Sequence, residues 1–556
     1  ARRPYNACTL GFAVAPRLNA SGRMSDASLG VELFLCRDPN RADEIIARLN
    51  KLNELRQQDE ANILNDAIRR LEPCDLSDTR AIVLRSETWN AGVIGIAASR
   101  IAEMYHRPTI LFSESDGILK GSARSIDGAN IHEVLCCCRE FFVRFGGHAK
   151  AAGITMESAF FEDFRLKLNA CLKTGYDDSV FIPCKRYEFD IPLEQVTREL
   201  IAELTRLAPF GESNPSPVFR SRHVAVSRLR RFGSDAQHTK MDVSPSISSS
   251  AAPLDAVWFA SAASYYRLLN ADTVDILYTP GINNWNGFDS IQLRVVSAKA
   301  EQPRDIDAYI EKGMRYFCNG LLENLSYRLS EPEQLPEICE TTLAELCSRS
   351  ISGLLVLVFS VESAKKILDE IRSSQIGNVD ICYSCVADSP VCCNTVLLAP
   401  QLANLPAFGF SKVVFYDNPP CSGVYTAVSR RMSSASMLRM PCTNSDFGRV
   451  ALHFACDRDF MVCSYKLVQS ILAASPCSQG ELCGKMSNKL NVPVYCALFA
   501  VRVFIELGFI EFTPGGALRN SSEIRPAPLC ASTLYSAVER LRTRNFPDSE
   551  QDDSDE

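Results

Sequence analysis

Residues 144–153 (RFGGHAKAAG) set two adjacent glycines beside His148, one of only six histidines, with a cation on either side. Residues 121–125 (GSARS) join a glycine to two hydroxyls and a guanidinium. Residues 17–23 (RLNASGR) place two arginines around a small-residue turn, and residues 89–95 (WNAGVIG) open a helical pattern after a strand. The chemistry these stretches share is oxyanion binding. Glycine lets backbone N–H groups approach a phosphate with no Cβ in the way. Serine donates from its hydroxyl, and arginine grips phosphate with a planar fork. Each stretch also has a plainer reading: a double glycine stops helices, an Arg/Ser strand can be a solvated edge, and a lone histidine is often structural. Together they point to a phosphorylated ligand.

The elements that must position these residues form an α/β pattern. Ile45, Leu49, Leu52, Leu55, Ile63, Ala67, Ile68 and Leu71 recur mostly at three- and four-residue steps, predicting a helix over 42–71 that Pro73 ends. At about 30 residues it is about 45 Å long, enough to bridge two domains. Strands are predicted at 81–84, 109–112, 119–124 and 154–156, alternating with helices at 92–104, 131–145 and 160–172. Gly146-Gly147 is expected to cap the second of these helices. Gly121 is expected to leave room for a phosphate oxygen beside Ser122 and Arg124, which share one strand face.

From about 185 the texture changes to strands and turns. Residues 275–279 and 290–296 flank Asn286-Gly287, a hairpin signal. Ile291, Leu293 and Val295 face one side there, and Gln292 and Arg294 the other. A small β-barrel is expected over 185–300, with a Ser/Pro loop at 242–253. Apolar strands at 354–359, 396–398 and 413–416, with a helix near 362–372, restore the α/β pattern. Residues 465–513 read as mostly helical, with a helix–Gly–strand end that could close a winged-helix unit. The expected fold class is α/β multi-domain, with no phosphate-loop motif after 300 and no internal repeat.

The chain has 556 residues, 46% of them hydrophobic and 22% charged, which fits two to four globular domains. No apolar run spans a membrane, and the first residues do not form a signal peptide. The first residue is not Met, so the chain is expected to begin inside a larger protein. Its 23 cysteines, among them Cys136-Cys137-Cys138, read as reduced core thiols of a cytoplasmic protein. Cys382-x-x-Cys385 with Cys392-Cys393 lacks a second pair at zinc-knuckle spacing, so no metal is assigned. The net charge of −7 excludes a generally basic coat but not a local basic groove, and residues 547–556 form an acidic tail.

The motifs GFAVAPRLNASGRM, WNAGVIGIAASRIAEMYHRPTILF, LKGSARSIDG and RFGGHAKAAGITM, in that order, resemble the RecJ single-strand-specific DNA exonucleases of the DHH phosphoesterase superfamily. LAPFGESNPSPVF at 207–219, His238-Thr239-Lys240 and Asn284-Trp285-Asn286-Gly287 resemble the family's OB-fold. The resemblance covers about residues 8–300, and the remainder is more loosely similar to a C-terminal extension. It implies the end of a DHH domain at 1–40, a connecting helix at 41–73, a DHH-associated domain at 74–178, an OB-fold at 185–300 and the extension at 301–546. No Asp-His-His occurs, so the family's Mn or Mg site is expected in a missing domain, with none bound by this chain.

By the same resemblance, His148 would orient the phosphate under attack. Arg17 or Arg23, with Ser122, Arg124, Ser125, Gly146 and Gly147, would bind phosphate, the 5′-terminal one included. Lys240, Trp285 and Arg294 would hold following nucleotides. The implied activity is 5′→3′ hydrolysis of single-stranded DNA in repair and recombination, with this chain inactive alone. A single-stranded-DNA-binding protein or a helicase is the further partner implied, and no membrane. Two other readings stay open: a DHH-type phosphodiesterase for oligonucleotides or cyclic dinucleotides, and a non-catalytic single-stranded-DNA-binding scaffold.

Overall fold

The computed structural model describes residues 9–543, except 72–78, 212, 234–235, 247–248, 260, 262–264, 266–267, 269–270, 272, 286, 304, 328–334, 350–352, 375, 377–378, 385–393, 407–409, 434, 442–444 and 523–525. The acidic tail, Cys385, Cys392, Cys393, Pro73 and Asn286 therefore lie outside the described residues.

Two short helices, α1 (Ala15–Met24) and α2 (Ser28–Leu35), lead into α3 (Pro39–Leu71), a helix of 33 residues. Its three- and four-residue apolar spacing buries Ile45 and Leu49 against Leu29 near one end, and Ile63, Ala67 and Leu71 under the next domain at the other.

That domain is a five-stranded sheet in the order β1-β2-β3-β5-β4. Its elements are β1 (Ile82–Ser86), α4 (Ile94–Tyr105), β2 (Thr109–Ser115), β3 (Ile118–Arg124), α5 (Ile131–Cys136), β4 (Phe142–His148), β5 (Ala151–Glu157) and α6 (Phe161–Gly175). Alternation along the strands sorts the side chains between two faces. Val83, Ile110, Phe112, Leu119, Ala123, Ile154 and Met156 pack beneath α5 and α6. Each fully buried large apolar side chain there contributes about 1.5–3 kcal/mol. On the opposite face, Ile82 and Leu111 pack under α4 and the end of α3.

The helix predicted over 131–145 is corrected. It stops at Cys136, a 3-10 turn follows at Arg139–Phe141, and Gly146-Gly147 sit inside a strand rather than at a helix cap. The run Phe141-Phe142-Val143 with Phe145 carries the aromatic and β-branched types that fit a half-buried pleat. Phe142 and Phe145 pack on the core, and Val143 is exposed on the edge strand. Cys138 is buried as expected, but Cys136 and Cys137 are exposed.

The next domain is a barrel of β6 (Phe219–Phe232), β7 (His238–Ser244), β8 (Leu254–Trp258), β9 (Thr273–Trp285) and β10 (Phe288–Ala300). Its order is β9-β10-β8-β7-β6, and β9 pairs back onto β6 to close it. Trp285 pairs with Phe288, and Gly287 before Phe288 has φ +84°.

The last region shares one core from Ile306 to Val538. It holds α7 (Ile306–Asn324), β11 (Leu354–Val358), α8 (Val361–Ser373), β12 (Val379–Tyr383), β13 (Asn394–Leu398), β14 (Lys412–Phe415) and β15 (Ser436–Arg439). The strands are parallel in the order β15-β14-β11-β13-β12. Three helices follow, α9 (Arg458–Ala474), α10 (Gln479–Leu490) and α11 (Val494–Glu506), then an antiparallel pair, β16 (Ile510–Phe512) and β17 (Leu518–Asn520).

β11 lies at the centre of this parallel sheet, with β13 and β12 on one side and β14 and β15 on the other. There Asp417, just past β14, accepts the N–H groups of Phe359 and Ser360 at 2.8 Å each. Ser360 caps α8. Burial pushes the Asp417 carboxyl up to about 6, against the pull of those backbone donors. The folded value lies above the ordinary 3.8, so between about pH 4 and pH 6 the folded protein binds this proton more tightly than the unfolded chain. Stability from this group is fully present below that window and falls as pH rises through it, by about 3 kcal/mol. Urea unfolding of the wild type and of Asp417→Asn at several pH values checks this. The wild type is expected to lose more stability than the variant between pH 4 and pH 7.

Candidate phosphate-binding face

The face of the first sheet that α4 leaves uncovered is set by strand register. Ser122 lies opposite Gly153, and Gly153 opposite Gly146. Arg124 lies opposite Ala151, and Ala151 opposite His148. Lys120, Thr155 and Arg144 form the row on the other side. Directly opposite residues point to the same side of a sheet, so the three rows share one face. A Cβ at Gly146 or Gly153 would meet nothing within 4 Å, so the middle row is bare backbone beside the Ser122 hydroxyl.

The N-terminal turn of α4 closes one end of this face. Asn90 Oδ1 accepts the N–H of Gly92, and Asn90 Nδ2 donates to Asp59 of α3. Trp89 is buried, and its indole N–H donates to Asp66, also of α3. The loop is thus tied to the long helix on two sides. The Gly92 carbonyl accepts from Arg23 Nη1 at 3.0 Å. A Cβ on Gly95 would stand 2.7 Å from Arg124 Nη2 and 2.8 Å from Ser122 Oγ, so this glycine lets the strand side chains reach the helix.

Arg124 donates to Ser99 Oγ, to Ser122 Oγ and to the Ala123 carbonyl. Among the described residues it has no carboxylate partner. Burial, and then the nearby Arg23 charge, hold its affinity for a proton below the ordinary arginine value. Two guanidinium groups brought together without a described acid between them, beside a helix N-terminus, make a locally positive site.

The sequence-selected residues divide accordingly. Arg23, Ser122, Arg124, Gly146 and His148 come to one face, where His148 Nδ1 accepts the N–H of Lys150 at 3.3 Å. Arg17 does not join them, because its guanidinium is bound to Asn50 of α3 and to the Ala13 carbonyl. The Ser125 hydroxyl is taken by the Ala129 carbonyl. Gly147 lies on the opposite side from His148, where a Cβ would stand 2.3 Å from the Ala151 carbonyl oxygen. Gly121 likewise turns to the core, where a Cβ would strike the Phe112 ring at 2.4 Å. Its role is close packing rather than room for phosphate.

In the barrel, Lys240 is neutralised by Asp255, which also accepts from Gln292. Arg294 lies 5.6 Å over the ring of Phe259. Phe259 is 48% exposed and forms an edge-to-face group with Phe232 and His238. Phe259 was not singled out from the sequence, although WFA at 258–260 carried the signal of an aromatic after a strand. The Trp285 side chain lies outside the described residues.

A bare, cationic sheet face beside a helix N-terminus, followed by a closed five-stranded barrel, makes an α/β domain joined to an OB-type domain. Residues 78–174 match the DHHA1 domain family, and residues 187–297 match the RecJ OB domain family. Across these two domains the chain is similar to RecJ proteins. The single-stranded-DNA-specific exonuclease RecJ of Bacillus subtilis is 35% identical over 296 residues, which are 53% of this chain and 37% of that protein. RecJ of Haemophilus influenzae is 32% identical over 299 residues, 52% of each chain. This chain therefore spans about half or less of the length of these relatives. RecJ from Thermus thermophilus in complex with Mg2+ is similar at 22% identity and a TM-score of 0.45, over 81% of this chain and 58% of that one. A second structure of the Thermus protein holds Mn2+.

The face described above does not suit a hard divalent cation, which seeks carboxylates. Its donors are guanidinium, ammonium, hydroxyl and a single imidazole, a set that suits an anion. No described helix is long and apolar enough to cross a membrane.

The geometry at Gly95 gives a direct check. Gly95→Ala should push Arg124 and Ser122 aside and weaken binding of inorganic phosphate or a nucleoside 5′-monophosphate about tenfold, as read by calorimetry. Ser125→Ala should leave that affinity unchanged.

Proposed function

We propose that this chain is the substrate-binding part of a RecJ-type 5′→3′ exonuclease acting on single-stranded DNA. The observation that carries this reading is the Arg23–Arg124 pair, which no described carboxylate neutralises, at the N-terminal turn of α4 on an open sheet face. In this reading the pair, with Ser122, receives the 5′-terminal phosphate. His148 lies two strands away from Arg124, about 10 Å along the row, so the two serve different phosphates of one strand. His148 orients the phosphate that is attacked, and Gly146 and Gly153 let the backbone approach without obstruction.

In a RecJ-type reaction, Mn2+ or Mg2+ would activate water and neutralise the leaving oxygen. Phe12, ahead of α1, and Phe34 and Leu35 of α2 are exposed apolar side chains that we assign to a packing surface for a further part of such an enzyme. The anion-binding face offers no carboxylate set for those ions, so in this reading they are held outside it. The barrel holds nucleotides downstream by stacking on Phe259 beside Arg294. Such a downstream surface favours a polymer over the oligonucleotides or cyclic dinucleotides of related phosphodiesterases. Roles in repair and recombination, and partnership with a single-stranded-DNA-binding protein or a helicase, are what the RecJ relationship suggests.

Arg124→Ala tests the end-recognition site. Losing a charge-assisted contact of about 1.5–3 kcal/mol lowers affinity about 10- to 150-fold for 5′-phosphorylated single strands and much less for 5′-hydroxyl strands. Equal losses on both ends would remove the terminal-phosphate assignment. Phe259→Ala, measured with the same oligonucleotides, is expected to weaken binding by about 1–3 kcal/mol whatever the 5′ end.

A further inference from the structure

A second constellation lies in the barrel, away from the phosphate face. Between β6 and β9 the register slips, with Val274 opposite Val224 and Ile276 opposite Ser221. Arg222 and His223 on β6 thus face the single residue Asp275 on β9, a β-bulge. His223 takes a left-handed backbone, φ +55°, and its N–H donates to Asp275 Oδ1 at 3.1 Å. Glu301, just past β10, is brought alongside because its N–H donates to the Thr273 carbonyl at the start of β9. The Thr273 hydroxyl holds Glu301 Oε2 at 2.6 Å, which leaves Oε1 against His223 Nδ1. One ligand atom from each of His223, Asp275 and Glu301 falls within 4.8 Å of the other two.

An independent feature adjoins this group. His223, Asp275 and Glu301 line a cavity of about 410 Å3 whose other wall comes from the C-terminal domain, through Tyr309, Val379, Asp380 and Ile381. An ion on the three side chains would therefore keep coordination positions open toward a partly open cavity large enough for water or a small anion.

We propose that His223, Asp275 and Glu301 form a binding site for one divalent transition-metal ion at the rim of this inter-domain cavity. One imidazole and two carboxylates are a mixed nitrogen and oxygen set, suited to ions such as Mn2+ and Zn2+ and poorly to Ca2+, which takes oxygen alone. Thr273 orients Glu301 from behind, as outer-shell partners of metal ligands do. The site belongs to the barrel and is separate from the chemistry proposed for the exonuclease centre. It departs from the sequence-based expectation that this chain holds no ion.

The test uses the full chain stripped of metal and titrated with Mn2+ in a calorimeter. Mn2+ is the probe because the chain's many thiols compete for it far less than for Zn2+. The wild type is expected to take up one Mn2+ per chain, with His223→Ala and Glu301→Gln each lowering the affinity at least tenfold. Glu301→Gln keeps the side-chain volume and the Thr273 contact, so it stays informative if His223→Ala disturbs the bulge. Circular dichroism checks that each variant keeps its fold. No Mn2+ uptake by the wild type, or equal uptake in both folded variants, overturns the proposal.

Discussion

Arg23 and Arg124 repel one another, and the fold uses its best hydrogen bonds to keep them together. Arg23 is held by the Gly92 carbonyl, and Arg124 by two serine hydroxyls and its own strand. Gly92 is fixed in turn by Asn90, and the Trp89-Asn90 loop by carboxylates of the long helix. Removing any of these supports lets the two charges separate into solvent, where each is stabilised by water alone. The sheet, the α4 turn and the long helix together form a frame that holds the two like charges near each other.

Much of this frame was legible in the sequence, because apolar periodicity over many residues is hard to mistake. The 33-residue helix, the first three strands and the hairpin at Asn286-Gly287 each carry their own local signal. The strand containing Gly146-Gly147 was not read, because a cysteine-rich helical start runs into it without a turn residue and the double glycine imitates a helix stop. Once that segment becomes a strand, the roles of its residues separate by parity. Gly146 and His148 share the open face, and Gly147 belongs to the packing against Ala152.

Other parts of the sites depend on contacts between distant segments and have no local signature. Both arginines of RLNASGR look equivalent in the sequence, yet only Arg23 reaches Gly92, while Arg17 turns to Asn50. The Lys240 charge is cancelled by Asp255 across the barrel, fifteen residues away, and no spacing rule would reveal that. His223 was invisible as a ligand because its left-handed backbone and its bulge arise from pairing with a strand fifty-two residues on.

Asp417 has a consequence for the C-terminal domain. In open parallel sheets, the crevice where strand order reverses is the usual seat of a ligand's phosphate. Here a carboxylate from the domain itself sits in that seat and engages both amides at the start of α8. A free nucleotide would have to displace a competitor that is tethered by its own backbone and always present at high effective concentration. The crevice is thereby filled by the domain's own Asp417 carboxylate, and the two amides that a ligand's anion would otherwise meet are already satisfied.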